Sequence, residues 1–272
     1  MKNICLIFAL ALVLVGCDSG GKSSVTSMAG DASLERLKQS GELRWGADVV
    51  GGIPYVYEDP DKPGTYIGFE VDIAKNIARS LGVKQKLVIK PWDTLIPELQ
   101  RGSFDLALNG IEDTEGRSRI VRFSDPYYLY TQQITVRKDT VGIMNLEDLK
   151  GKTVATLSAT AAEDILRSIP EITASINPEI IYSYQDLEAG KVDAVLLDTP
   201  IAVAYGASNP KFKNVGEPFG EGHYVIAFRD EDEALADAIN QALTKMKVSG
   251  ELSEIYKKWG IMNAYQQKVG IQ

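Results

Sequence analysis

Segments with two different patterns of hydrophobic and polar residues alternate along the chain. One pattern is typical of helices and the other of buried strands. In GFEVDIAKNIARSLG (68–82) apolar residues recur at helical spacing, and Gly82 is placed to end the helix. Around it we predict a helix in SLERLKQSG, strands in ELRWGAD, KLVIK and FDLALNG, and a Pro-containing helix in WDTLIPELQRG. This β-α-β-α-β order is typical of a largely parallel sheet covered by helices.

The same kind of order restarts in the second half of the chain. Residues 99–109 and 187–197 share the pattern L-x-x-G-x-φ-D-x-x-L, where φ is apolar. The elements predicted there are helix NLEDLKG, strand KTVATLS, helix ATAAEDILRSI before Pro170, strand EIIY, helix YQDLEAG, strand KVDAVLLD and helix PIAVAYGAS. The matching order predicts two similar α/β lobes.

Two further strand-like runs lie where the chain would pass between the lobes. They are YYLYTQQITVRKDT (127–140) and GHYVIAFRDED (222–232), and together they predict a two-strand hinge. Two amphipathic helices divided at Gly250 follow and would return to the first lobe. The predicted fold class is therefore α/β, with a discontinuous lobe 1 (34–131 and 225–272) and a lobe 2 of residues 132–224 that includes the crossings.

The N-terminus is predicted to be a targeting segment. Lys2 and the twelve apolar residues ICLIFALALVLV form a signal peptide (1–16) that is too short to span a membrane. LVGC, ending at Cys17, resembles the bacterial lipobox, whose cysteine is acylated; a plain secretory signal is the alternative. The Gly/Ser-rich residues 17–33 would be a flexible tether.

Composition excludes several kinds of protein. The 272 residues carry a net charge of −8 without a basic stripe, which argues against a nucleic-acid partner. Cys5 would leave with the signal and Cys17 would be acylated, so neither a disulfide nor a cysteine metal site is expected. His223 is the only histidine, which argues against serine or thiol hydrolases and zinc enzymes. We find no phosphate-binding glycine loop and expect no cofactor.

Chemistry-bearing residues follow the predicted strands at their carboxyl ends, where open α/β sheets bind ligands. Across a closed hinge these residues would form one cleft. They are Asp48, Asn109 and Gly110, which lead toward Arg117 in the first lobe, and Thr160 and Asp198 in the second. The Arg117 guanidinium and the Thr160 hydroxyl suit a carboxylate, and Asp198 suits an ammonium group. The combination describes a zwitterion, and a free α-amino acid fits it.

Each of these residues also has an ordinary structural interpretation. Asp198 and Thr160 are placed to cap helices. Arg117 has acidic neighbours, including Glu112, with which an exposed arginine pairs. The aromatic residues Tyr55 and Trp92 suit a wall of the cleft as well as a packed core.

The chain from about residue 34 to 259 resembles the periplasmic amino-acid-binding proteins of ABC importers, solute-binding family 3. The segments that carry the resemblance are GFEVDIAKNIARSLG, LIPELQRGSFDLALNGI, FSDPYY, GKTVATLSAT, GKVDAVLLDTP and LSEIYKKWG. The resemblance implies two lobes that close on an amino acid. It implies that Arg117 and Thr160 hold the α-carboxylate, and that Asp198 and the Gly110 backbone hold the α-amine.

This sequence departs from the family pattern at three points. Glu112 stands where the family usually has Ser or Thr, and Ala159 where it usually has Gly. After Asp48 the chain has VVGG instead of an aromatic residue, so Tyr55 and Trp92 would have to supply stacking. Relatives that bind basic amino acids have an acid at the Asp48 position. Asp48 and Glu112 therefore favour a basic or polar ligand, unless Glu112 neutralises Arg117 or turns outward.

The resemblance implies a receptor that delivers a free amino acid to the inner-membrane permease of an ABC transporter. We expect a monomer, periplasmic or at the cell surface, and anchored through Cys17. A second hypothesis is an enzyme similar to cyclohexadienyl dehydratases. The catalytic acid of those enzymes falls at Ile201 here, and an isoleucine side chain cannot donate a proton. Glu112 is nevertheless a conceivable general acid. A sensory domain is a third hypothesis, which the lack of another predicted membrane-spanning run disfavours.

Overall fold

The computed structural model describes residues 31–50 and 52–272. The predicted signal peptide, Cys17 and most of the predicted tether lie outside the described residues. The described chain forms two five-stranded sheets covered by helices, and a separate two-stranded hairpin of β2 (Tyr57–Glu58) and β3 (Tyr66–Ile67). The two α/β lobes predicted from sequence are therefore confirmed, whereas their boundaries stay predictions. Within these ranges the structure contains no helix that is long and apolar enough to cross a membrane.

The first sheet has the order β4-β1-β5-β12-β6, in which β1 pairs in parallel with β4 and β5. Strand β12 comes from the C-terminal part of the chain and inserts antiparallel between β5 and β6, so this lobe is discontinuous. Its elements are α1 (Ser33–Ser40), β1 (Glu42–Ala47), β2 (Tyr57–Glu58), β3 (Tyr66–Ile67), α2 (Phe69–Leu81), β4 (Lys84–Ile89), α3 (Leu95–Gln100), β5 (Leu106–Ala107), α4 (Glu115–Ser118), β6 (Arg122–Phe123) and, after the second lobe, β12 (Ala227–Phe228), α8 (Glu233–Ser249) and α9 (Glu251–Lys258).

The second sheet has the order β11-β7-β10-β8-β9. Strand β8 pairs in parallel with β9 and β10, and β7 runs antiparallel to β10 and β11. Its elements are β7 (Tyr128–Arg137), β8 (Thr153–Leu157), α5 (Ala161–Arg167), β9 (Thr173–Asn177), α6 (Ile180–Glu188), β10 (Ala194–Asp198), α7 (Thr199–Ile201) and β11 (Phe212–Tyr224). A π-helical segment, Ala202–Ala207, continues α7.

The connection between the lobes is the predicted pair of strands, and in the structure aromatic stacking holds them. β7 and β11 pair up to Tyr128 and Tyr224, where the chain passes between the sheets. The Tyr224 ring stacks on Tyr128 and Tyr130, with centroid distances of 5.6 and 4.7 Å. Gln266, from the C-terminal segment, donates to the Leu129 carbonyl and accepts from its N–H. These contacts fix the crossing point of the hinge.

One predicted strand is wrong. Residues 180–182 of EIIY (179–182) begin α6 and Glu179 precedes it; in this helix Ile180, Ser183, Tyr184 and Leu187 are buried at helical spacing. The strand of this region is instead β9, TASIN, an edge strand without a fully buried residue. An edge strand with polar alternation gives a weak apolar signal, whereas the two isoleucines of α6 imitate a strand.

Candidate functional site

A cavity lies between the carboxyl ends of strands from the two sheets. It brings together all the predicted ligand-binding residues except Arg117. Its lining is Asp48, Val50, Gly52, Tyr55, Trp92, Asn109, Gly110, Glu112, Leu157, Thr160, Glu179, Ile180, Leu197, Asp198 and Ile201. Arg117 lies behind the lining, against Glu112 and Trp92.

The first-lobe side of the cavity is held together by hydrogen bonds between strand ends. The Asp48 N–H donates to Asn109 Oδ1 at 2.9 Å, which joins the ends of β1 and β5. Gly110 has φ +60°, and a Cβ there would lie 2.8 Å from the Tyr55 ring. Glycine is thus required both by the backbone conformation and by the space.

Beneath Gly110 lies a buried carboxyl that sequence analysis missed. Glu70 Oε1 accepts from the Gly110 N–H at 2.6 Å and from the Tyr127 hydroxyl. Glu70 Oε2 has no hydrogen-bond partner among the described residues. Burial raises the pKa of Glu70 to about 7, against the hydrogen bonds, which lower it. Glu70 therefore positions the Gly110 backbone, and its buried carboxyl forms no ion pair with a cation in the described part of the chain.

We expect Glu70→Gln to make folding less dependent on pH. Below about pH 4.5 the carboxyl is neutral in both states. Between about pH 4.5 and 7 the unfolded chain releases the proton and the folded chain keeps it, so wild-type stability falls by on the order of 3 kcal/mol and then levels. Urea unfolding of both proteins across this range measures the difference. A constant difference between them would contradict the assignment.

On the second-lobe side, Asp198 is a buried carboxylate that faces the cavity at the end of β10. Only 7% of the residue is exposed. Its Oδ1 accepts from Gln132 Nε2 at 2.7 Å and its Oδ2 from the Tyr224 hydroxyl, which also bonds the Tyr55 hydroxyl. The Asp198 side chain makes no hydrogen bond to the α7 backbone, so its role is not helix capping. Burial, with the charge of Glu112 adding to it, raises the pKa of Asp198.

Thr160 lines the cavity and also caps a helix. Its hydroxyl accepts from the Glu163 N–H at 3.3 Å and donates to the Leu157 carbonyl at 2.8 Å. The capping interpretation of Thr160 is therefore confirmed. The preceding residue, Ala159, adopts φ +55°, a left-handed conformation that explains why glycine suits this position.

Glu112 points inward and pairs with Arg117. Its Oε2 lies 2.9 Å from Arg117 Nη1, and its Oε1 accepts from the Ala161 N–H at 2.9 Å. Arg117 also donates from Nη1 to the Glu112 carbonyl and from Nη2 to the Ala159 carbonyl, at 3.1 and 2.6 Å. Burial raises the pKa of Glu112, although Arg117 opposes the shift. Local pairing of Arg117, which the sequence left open, is confirmed.

Two of these hydrogen bonds, and a further one from Trp92, join the two lobes. They run from Ala161 to Glu112, from Arg117 to Ala159, and from the Trp92 indole Nε1 to the Ser158 carbonyl at 2.9 Å. The Arg117 guanidinium carbon lies 5.3 Å from the centre of the Trp92 ring, in cation–π contact. The described arrangement is therefore closed over the cavity.

Glu179 is a cavity residue that sequence analysis missed. It directly precedes α6, beyond the carboxyl end of β9, and its charge adds to burial in raising the pKa of Asp48. Because EIIY was predicted to be a strand, the rule that ligands bind beyond strand ends did not select Glu179. A correct strand at TASIN would have selected it.

The lining is strongly acidic at its polar positions. Its ionisable carboxyls are Asp48, Glu112, Glu179 and Asp198, and no lysine, arginine or histidine belongs to the lining in the described part of the chain. The apolar remainder includes Leu157, Leu197 and Ile201. Such a cavity favours a small cation with an apolar stem.

Comparison with known proteins agrees with this fold. A family model described as bacterial extracellular solute-binding proteins, family 3, matches residues 48–262. The L-cystine-binding protein TcyJ of Escherichia coli (strain K12) is 30% identical over 239 residues, which are 87% of this chain and 89% of that protein.

Two solved structures are also similar. A mutant of ArgBP from T. maritima matches at 35% identity and TM-score 0.79, covering 85% of this chain and 100% of its own. An ancestral arginine-binding protein bound to arginine matches at 37% identity and TM-score 0.76, covering 80% and 98%.

Proposed function

The chain belongs to family 3 of the bacterial extracellular solute-binding proteins, and from that premise we propose that it captures a basic solute of the amino-acid class and delivers it to an ABC transporter. The named relatives bind cystine and arginine, and others bind histidine or glutamine. Relatives of this kind are binding proteins, so no covalent chemistry is required of the cavity.

The acidic lining is the observation that carries the preference for a basic solute. Four carboxyls face the cavity, and Arg117, which lies behind the lining, is already paired with Glu112. A bound ammonium or guanidinium group would replace the water that these carboxylates lose on burial. An acidic ligand would face like charges on both lobes, which costs binding free energy.

Capture would proceed by closure of the lobes about β7 and β11. Asp48 and Glu112 belong to the first lobe, whereas Glu179 and Asp198 belong to the second. A cation between them contacts both lobes at once and stabilises the closed state over the open one. Trp92 and Tyr55 supply the aromatic wall against which the stem of the ligand packs.

A protein with this role works outside the cytoplasm. The family is extracellular, which supports a periplasmic or cell-surface protein. We include in the proposal that Cys17, at the end of LVGC, carries the lipid that anchors the chain. Mass spectrometry of the protein extracted from membranes tests this, because acylation adds the mass of the lipid chains to the residue.

Calorimetry with single amino acids tests the proposed function. We expect binding of at least one of arginine, lysine and histidine, and no binding of glutamate or aspartate. Each compound that binds is recovered afterwards and analysed for conversion. Tight binding without conversion supports a receptor, whereas turnover, or a preference for acidic amino acids, would contradict the proposal.

A further inference from the structure

The donors that suit a carboxylate in this cleft are already used by the protein itself. Arg117 Nη1 and the Ala161 N–H each lie 2.9 Å from a different oxygen of the Glu112 carboxylate. Arg117 Nη2 is held by the Ala159 carbonyl. The Glu112 carboxylate therefore occupies two of these donors, and it bridges the two lobes as a ligand carboxylate would.

A ligand carboxylate could take these donors only by displacing Glu112. The Glu112 residue is 1% exposed, so a displaced side chain would have to stay within the closed cleft. There it would lie near Asp198, and the two like charges would repel each other, which disfavours the ionised form of both carboxyls. The exchange would leave two carboxylates and the ligand's own anion around a single arginine, which is electrostatically unfavourable.

The four carboxyls of the lining are divided between the lobes, with Asp48 and Glu112 on the first and Glu179 and Asp198 on the second. A pair made of one carboxyl from each lobe suits a cationic group that bridges the lobes. The charge of Glu112 acts on Asp198 and that of Glu179 acts on Asp48, which indicates how the four carboxyls pair. Apolar and aromatic side chains line the cavity together with these carboxyls, among them Tyr55, Trp92 and Leu197.

We propose that Glu112 takes the place of the ligand's carboxylate, and that the preferred ligands are dicationic amines without a carboxylate, such as diamines and guanidino amines. This inference rests on the proposed function, since it concerns the same cavity and the same preference for a basic solute. One cationic group lies between Glu112 and Asp198, the other lies between Asp48 and Glu179, and an alkyl stem of a few carbons joins them.

The test compares each basic amino acid with its decarboxylated counterpart by calorimetry on the full-length protein. The pairs are arginine with agmatine and lysine with cadaverine. We expect each amine to bind wild type at least ten times more tightly than the corresponding amino acid. In Glu112→Thr, which frees Arg117 and the Ala161 N–H, we expect the order to reverse. Asp237→Asn, an exposed carboxyl on α8, is the control and should keep the wild-type order.

The outcomes separate this inference from the proposed function. If arginine and lysine bind wild type ten times more tightly than the amines, the inference is wrong and the receptor for basic solutes stands. If Glu112→Thr folds but keeps the wild-type order, Glu112 does not stand in for a carboxylate. If none of the four compounds binds, the inference is wrong, and if histidine does not bind either, the preference for a basic solute fails as well.

Discussion

Asp198→Asn is expected to weaken binding of any cationic ligand by at least a hundredfold. The substitution removes a buried negative charge at the cavity and keeps the shape of the side chain. The remaining amide oxygen still accepts from Gln132, and the Tyr224 hydroxyl, released from Asp198, keeps its bond to Tyr55. Loss of a desolvated charge pair costs on the order of 3 kcal/mol, which corresponds to the hundredfold change. Calorimetry with the tightest wild-type ligand measures the effect.

Two controls show whether that loss belongs to the site. Asp237→Asn removes the same charge from the exposed face of α8 and should bind as wild type does. Thermal unfolding without ligand should show that Asp198→Asn is at least as stable as wild type. Burial raises the pKa of Asp198, so at neutral pH its ionised form opposes folding. A stable Asp198→Asn protein with undiminished affinity would mean that the cation lies elsewhere.

Most of the lining could be predicted because it depends on local sequence. Asp48, Asn109 and Asp198 each lie within two residues of the carboxyl end of an apolar strand, and the strands of one lobe end at the same edge. The sequence pattern shared by residues 99–109 and 187–197 indicated two lobes, each with a sheet edge of this kind. Short-range signals were therefore sufficient to place the cavity and to predict that carboxyls would face it.

The pairing inside the site depends on distances across lobes, which sequence pattern does not contain. Glu112 has Arg117 five residues away, but its second bond goes to Ala161, 49 residues along the chain. The contact between Glu112 and Ala161 of the other lobe therefore decides whether Arg117 pairs with Glu112 or faces a ligand. Glu70 was missed for a similar reason: it lies in an amphipathic helix, and only tertiary structure shows that its carboxyl is buried under Gly110.

Arg117→Ala is expected to destabilise the ligand-free protein by about 3 kcal/mol, because it leaves a buried carboxylate without its cation. Glu112 is 1% exposed and its paired arginine 14% exposed, so solvent does not replace the lost partner. Arg119→Ala is the matched control. Arg119 is two residues further along and pairs with Glu115, but those side chains are 71% and 82% exposed, so less than about 1 kcal/mol should be lost.

A double substitution separates this charge effect from the lost contacts between Arg117, Trp92 and Ala159. If the unpaired carboxylate is the cause, Glu112→Thr combined with Arg117→Ala should recover most of the stability lost in Arg117→Ala alone. The loss in Arg117→Ala should also be smaller at about pH 5 than at about pH 8. Burial raises the pKa of Glu112, and without the opposing charge of Arg117 the folded state accepts a proton at still higher pH. Additive losses, unchanged between the two pH values, would show instead that Arg117 stabilises the closed lobes through Trp92 and Ala159, and that Glu112 contributes little to closure.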